Sequence, residues 1–144
     1  METQTYANHR RFVPLYHGVL FFLLLATLIG SVVNLFQSLG DHQRLYSASL
    51  IVVLVICVLM LFFFCRIFAL KAQDRAIRAE ENLRHFVLTG KLLDAKLGVL
   101  QIVALRFAPD TEFVALARRA ADENMAPDAI KRAIKQWKPD TYRV

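Results

Sequence analysis

The sequence predicts an all-α protein. It reads as a two-helix transmembrane hairpin whose second helix runs on into the cytoplasm, followed by a small C-terminal three-helix domain. Three observations carry this. The 144-residue chain is 56% apolar yet has a net charge of +6, where a soluble domain averages about 45–50% apolar residues. The charge is unevenly placed: residues 1–70 hold only Arg10, Arg11, Arg44 and Arg66 with Glu2 and Asp41, and every other acid and base follows. Two stretches, Leu15–Phe36 and Leu45–Cys65, contain no Asp, Glu, Lys or Arg. This pattern excludes a single water-soluble globule, a disordered tail and a disulfide scaffold.

Residues 1–14 form a polar N-terminal segment. Residues 15–65 form the hairpin, with spans at about 15–36 and 45–65. As helices, the spans are about 30–33 Å long, the thickness of a hydrocarbon core. The first is too long for the apolar run of a cleaved signal peptide and lacks a small-x-small site after it. Pro14 suits its first turn, and Gly40 is expected to make the reversal in the link Gln37–Arg44. Arg10 and Arg11 precede the first span, and Arg66, Lys71, Arg75 and Arg78 follow the second. The positive-inside bias then places both termini in the cytoplasm. Tyr16 and Tyr46 fall at opposite ends of the spans, at headgroup level.

Within the first span, Ala26, Thr27, Gly30, Ser31 and Asn34 make a small, polar stripe, and the spacing of Ala26 and Gly30 lets helices approach closely. It is expected to pack against the second span, with another membrane protein as the alternative. Cys57 and Cys65 are too far apart along a helix to bond each other.

Residues 66–90 continue as a cytoplasmic helix, with nothing to break it before Thr89-Gly90. Asp74–Arg78 and Glu80–Arg84 have the favourable acid-first i,i+4 order. Ala69, Ala72, Ala76, Ala79, Leu83 and Phe86 recur at heptad spacing. This alanine seam is expected to bed the chain's own later helices, with homo-oligomerisation as the alternative. Residues 91–144 read as three helices. The first, around Leu92–Phe107, is apolar nearly all round and must be covered. Pro109 stops it, and Asp110 is the N-cap candidate for the second, whose face is Phe113, Leu116, Ala117 and Ala120. Asn124 ends that helix. Pro127 opens the third, which buries Ile130, Ala133, Ile134 and Trp137 and presents Lys131, Arg132, Lys135 and Lys138 as a basic stripe. Such a stripe is either a solvated face or a contact for anionic headgroups.

The chain has no Gly-rich phosphate loop, metal-ligand spacing or nucleophile motif, so no catalytic residue, metal or cofactor is assigned. His17 and His9 are weak candidates for haem or chlorin ligation. No aromatic-interleaved basic motif points to nucleic acid.

Several stretches resemble an uncharacterised family of small two-span bacterial membrane proteins. They are Gln4–His17 (Gln-Thr-Tyr-Ala-Asn-His-Arg-Arg at its start), Phe68–Glu81, Val103–Asp110 and Ile130–Val144 with its Trp-x-Pro-Asp-x-x-Arg-Val ending. Ala126 departs from the Ser or Thr of the family pattern before Pro127. The resemblance implies two spans and a helical cytoplasmic end, with its motif residues at the two ends of the chain. Tyr6, His9, Arg10, Arg11, Trp137, Asp140 and Arg143 are then expected to form one polar-aromatic interaction patch, with Arg10 or Arg11 pairing to Asp140.

The expectation is a multi-pass protein of the bacterial inner membrane, in contact with the bilayer and with other membrane subunits, acting as an accessory or scaffold subunit. Two rivals are an accessory subunit of a redox or photosynthetic complex supplying a haem or chlorin ligand, and a lipid-headgroup enzyme using His9, His85 and nearby carboxylates.

Overall fold

The computed structural model describes residues 4–9 and 11–140. Among these, all regular structure is helical: α1 (Pro14–Gln37), α2 (His42–Thr89), α3 (Val99–Leu105), α4 (Asp110–Asp122) and α5 (Pro127–Ala133). The chain divides into two compact units. One contains Phe12–Phe68. The other contains Met1–Arg11 together with Ala69–Val144.

In the first unit, α1 opens on Pro14, whose missing N–H costs nothing there, and its first seven residues are wound as a π-helix. At 24 residues α1 is about 36 Å long. Asp41 starts α2 by accepting the Gln43 and Arg44 N–H groups on Oδ1. The reversal rests on this cap and on Ser38, whose hydroxyl donates to the Asn34 carbonyl. Gly40 lies in this reversal, as expected, without a positive φ. Ser31 on α1, Ser38 just after it, and Ala48 and Val55 on α2 are buried, and Leu24, Leu28 and Leu35 are half-buried. Tyr16 stacks on Phe62 at 4.2 Å between ring centroids, and its hydroxyl donates to the Phe62 carbonyl. Of the expected packing stripe only Ser31 is buried; Ala26, Thr27, Gly30 and Asn34 are exposed. The half-buried leucines and the buried Ser31 therefore lie on one side of α1, with Ala26, Gly30 and Asn34 left outward.

α2 is continuous over 48 residues, about 72 Å. It stops where expected, at Gly90, which takes φ +73° and donates its N–H to the Phe86 carbonyl.

In the second unit, the core is Leu93, Leu97, Ile102, Leu105, Phe107, Phe113, Leu116, Ile130 and Ile134 with five alanines between them. α4 buries the expected face, Phe113, Leu116, Ala117 and Ala120. Asn124 follows it at φ +47°, the left-handed position that asparagine tolerates. α5 begins at Pro127, and Ala126 before it offers no side-chain cap.

Four expectations are corrected here. Residues 91–98 are not helical; Gly98 and Gln101 start α3 late, with Gln101 Oε1 accepting the Gly98 N–H at 2.7 Å. Leu93 and Leu97 are buried from this loop rather than from a helix face. Asp110 is the first residue of α4 rather than its cap. α5 ends at Ala133, because the Glu112 carboxylate takes the N–H groups of Lys135 and Gln136 and the Phe107 carbonyl takes that of Lys138. Lys135 and Lys138 therefore lie off the helix and do not continue Lys131 along one helix face.

The alanine seam is the largest correction. Ala72, Ala76, Ala79, Leu83 and Phe86 are exposed, while Ile77 and Glu81 are buried. The later helices dock on a different face of α2, through Asn82, Arg84 and His85. Asn82 Oδ1 accepts the Leu93 N–H, and the His85 ring meets Phe113 at 5.9 Å. Among the described residues neither expected pair, Glu80–Arg84 or Asp74–Arg78, forms within 4 Å, and Arg84 turns instead to Glu81 and Asp110. A fully buried ring should dominate this unit's stability. Phe113→Ala should cost about 3–5 kcal/mol, read in the thermal transition followed by Trp137 fluorescence, whereas Leu100→Ala, at 62% exposure, should change it by under about 0.5 kcal/mol.

Candidate functional site

Residues 4–9 form a short arm held within the second unit. The Thr5 N–H donates to Asn8 Oδ1 at 2.6 Å, which folds the arm into a turn. That turn presents Tyr6 and His9 on one side, with ring centroids 5.6 Å apart. His9 also meets Phe107 at 5.9 Å and Trp137 at 5.8 Å, and Phe107 and Trp137 are 4.8 Å apart. Four rings thus gather at the end of α3. His9 Nδ1 lies 2.6 Å from the Tyr6 carbonyl, so the proton belongs on Nδ1. Nε2 is then the acceptor facing Lys131 Nζ at 3.4 Å.

Polar groups ring this aromatic cluster. The Tyr6 hydroxyl donates to Asp128 Oδ2 at 2.8 Å and accepts from Arg132 Nη2 at 3.2 Å. The Arg132 guanidinium also lies 5.1 Å over the Tyr6 ring. Asp140 donates its backbone N–H to Gln4 Oε1 at 2.7 Å. Its carboxylate lies 3.2 Å from Arg106 Nε, an ion-pair distance with the N–H misaligned for a hydrogen bond. Arg106 is largely buried, with its guanidinium 4.6 Å over Phe107.

Burial lowers the Arg106 pKa, while Asp140, Asp74, Glu81 and Glu80 act to raise it. An arginine so placed still keeps its charge at neutral pH. Asp128 is held below the ordinary carboxylate range, chiefly by the Tyr6 hydroxyl. Partial desolvation opposes that shift, and Lys131, Arg132 and His9 add to it. The Arg132 pKa is raised by the same hydroxyl and by Asp128.

Tyr6, His9, Trp137 and Asp140 are therefore brought together, with Lys131 and Arg132 alongside. Asp140 pairs with Arg106, a partner not expected from the sequence. Arg11 is exposed, and Arg10 and Arg143 lie outside the described residues. Gln4, Arg106, Phe107 and Asp128 complete the cluster without having been singled out from sequence. For Arg106 the signal was present: one arginine interrupting the apolar run Val99–Phe107.

His17 sits elsewhere, at the start of α1. Its Nδ1 is within 3.1 Å of both the Val13 N–H and carbonyl, and its ring stacks on Phe12. His85 lines a cavity of about 380 Å³ with Thr89, Lys91, Asp94, Arg118 and Asp122, and its Nδ1 is engaged by the Lys91 carbonyl. Among the described residues no three His, Cys, Asp or Glu side chains converge as a metal site.

The fold and this cluster define an all-helical protein with two bilayer-length apolar helices and a small helical unit that clasps the N-terminal arm. The chain belongs to a family of unknown function (DUF6526), whose model matches residues 1–144. No curated protein and no solved structure matches it.

The arm's contact is pH-sensitive in one direction. A carboxylate whose pKa is lowered on folding stabilises above its unfolded value, about 3.9, and that contribution is lost as the pH falls through the lower folded value. Tyr6→Phe should move the Asp128 carboxyl titration, followed by NMR, upward toward the ordinary range. An unmoved titration would show that the hydroxyl does not hold Asp128 in solution.

Proposed function

We propose that this chain is a multi-pass protein of the bacterial inner membrane, an accessory or scaffold subunit of a larger membrane assembly. In this reading α1 and the first half of α2 cross the bilayer as a hairpin, and both termini are cytoplasmic. One observation carries it: the apolar surface of these helices is left uncovered. Only 6% of the most apolar stretch of α1 and 11% of that of α2 is buried. Leu15, Phe22, Phe36 and Leu54 are each more than half exposed. Core helices of a soluble protein would be enclosed, and contiguous apolar surface on this scale demands a lipid or protein partner.

Two further observations support the reading. The flanks of the hairpin, residues 1–11 and 69–144, belong to one compact unit, so an even number of crossings between them is required. The charge bias of the same flanks supports a cytoplasmic location for that unit. The subunit role is supported by the outward-facing Ala26, Gly30 and Asn34, a surface of the kind that lets membrane helices approach closely.

In intact cells, a cysteine introduced after Lys138 should resist a membrane-impermeant thiol reagent and react once the cells are opened. Labelling from outside would overturn the topology. In mild detergent the protein should migrate in a complex containing other membrane proteins. Migration free of any other protein would overturn the subunit role.

A further inference from the structure

We propose that the exposed seam on the cytoplasmic half of α2 joins two copies of this chain side by side, in parallel. The seam is Ala72, Ala76, Ala79, Leu83 and Phe86, with Ala69 half-buried at its start. Its spacing is that of the a and d positions of a heptad repeat, with Ala76 and Leu83 at a and Ala72, Ala79 and Phe86 at d. The chain's own later helices bind α2 through Asn82, Arg84 and His85 and leave this face open. Leu83 is 63% exposed and Phe86 51%. Such side chains on a long helix are not a solvated face. The alanines allow two backbones to come close, and Leu83 and Phe86 supply the apolar area the alanines lack.

The flanking charges select the occupant and its direction. In this register Arg75 is a g position and Glu80 the e position that follows it in the next heptad. In a parallel two-stranded coil, g of one helix meets that e of the other. Arg75 of each copy therefore faces Glu80 of its partner, and the pairing occurs twice by symmetry. Both side chains are exposed, and among the described residues neither has an ion pair within 4 Å. A seam whose own flanks are mutually complementary fits a second copy of itself. The parallel direction also rests on the membrane reading, since two copies inserted with one topology carry α2 the same way. Confinement to one bilayer raises the effective concentration for a seam that is short for a free zipper.

The test uses the full chain with Cys57→Ser and Cys65→Ser, in mild detergent and in native membranes. Ala76→Cys and Ala79→Cys should form disulfide-linked dimers on mild oxidation. Lys71→Cys and Arg78→Cys, on outward positions, should not. In light scattering the protein component should weigh twice 16.5 kDa once other proteins are removed. Arg75→Glu or Glu80→Arg alone should weaken the dimer about tenfold, and the double variant should restore it, which misfolding would not do. A monomer, or cross-linking without heptad periodicity, overturns the proposal. Carbonate extraction of the same samples separates the two readings. A membrane-resident monomer sinks the dimer alone, and an extractable protein with periodic cross-links sinks the membrane reading alone.

Discussion

Removing a guanidinium from water costs several kcal/mol unless its donors are met, and the helical unit formed by residues 1–11 and 69–144 is organised around one that meets that demand. The Arg84 side chain is 13% exposed. Its Nε donates to Asp110 Oδ1, Nη1 to Glu81 Oε2 and Nη2 to the Ala108 carbonyl, all within 3.0 Å. Its plane lies 4.3 Å over the Phe113 ring. These partners come from α2, from the turn after α3 and from the first turn of α4. One side chain therefore sets which face of α2 the later helices use, where α4 begins and how Phe113 enters the core. Asp110 at the start of α4 also lies where the helix dipole favours an anion, so the same carboxylate serves both helices.

That choice of face explains what the open seam is doing. Had the alanines bedded the later helices, as their spacing invites, Arg84 would have been turned out to solvent. Alanines bury little area per residue, whereas the chosen face offers Ile77, a satisfied buried ion network and an aromatic ring. The packing goes to the face with more to bury and leaves the weaker apolar one free.

Much of the fold was legible in the sequence because its signals are local. Charge-free runs of bilayer length, Gly90 at the end of a long helix, Pro127 at the start of another and the Phe113–Ala120 spacing are each read from neighbours in the chain. The misreadings share the opposite cause. Glu112 ends α5 from 23 residues away, Arg84 prefers Asp110 to the nearby Glu80, and Leu93 and Leu97 are core residues supplied by a loop. Of the small residues that fit a packing stripe in the first span, Ser31 is buried whereas Ala26 and Gly30 face outward. Periodicity identifies an apolar or small-residue face, but it cannot rank two such faces on one helix. In the candidate site Tyr6, His9, Trp137 and Asp140 were legible only as end motifs. The residue joining them, Phe107, was hidden inside what read as an ordinary apolar helix.

The arm has a consequence for the order of events during synthesis. Tyr6 is made well before its partner Asp128, which lies 122 positions later in the chain, and Trp137 and Asp140 come later still. The whole hairpin and three short helices must be produced before the arm has anywhere to dock. Closing so long a loop is entropically costly and comes late. Arm docking therefore follows the folding of the segments it rests on: until Phe107, Asp128 and Trp137 are in place, the Tyr6 hydroxyl and the His9 ring lack the carboxylate and the rings they meet here.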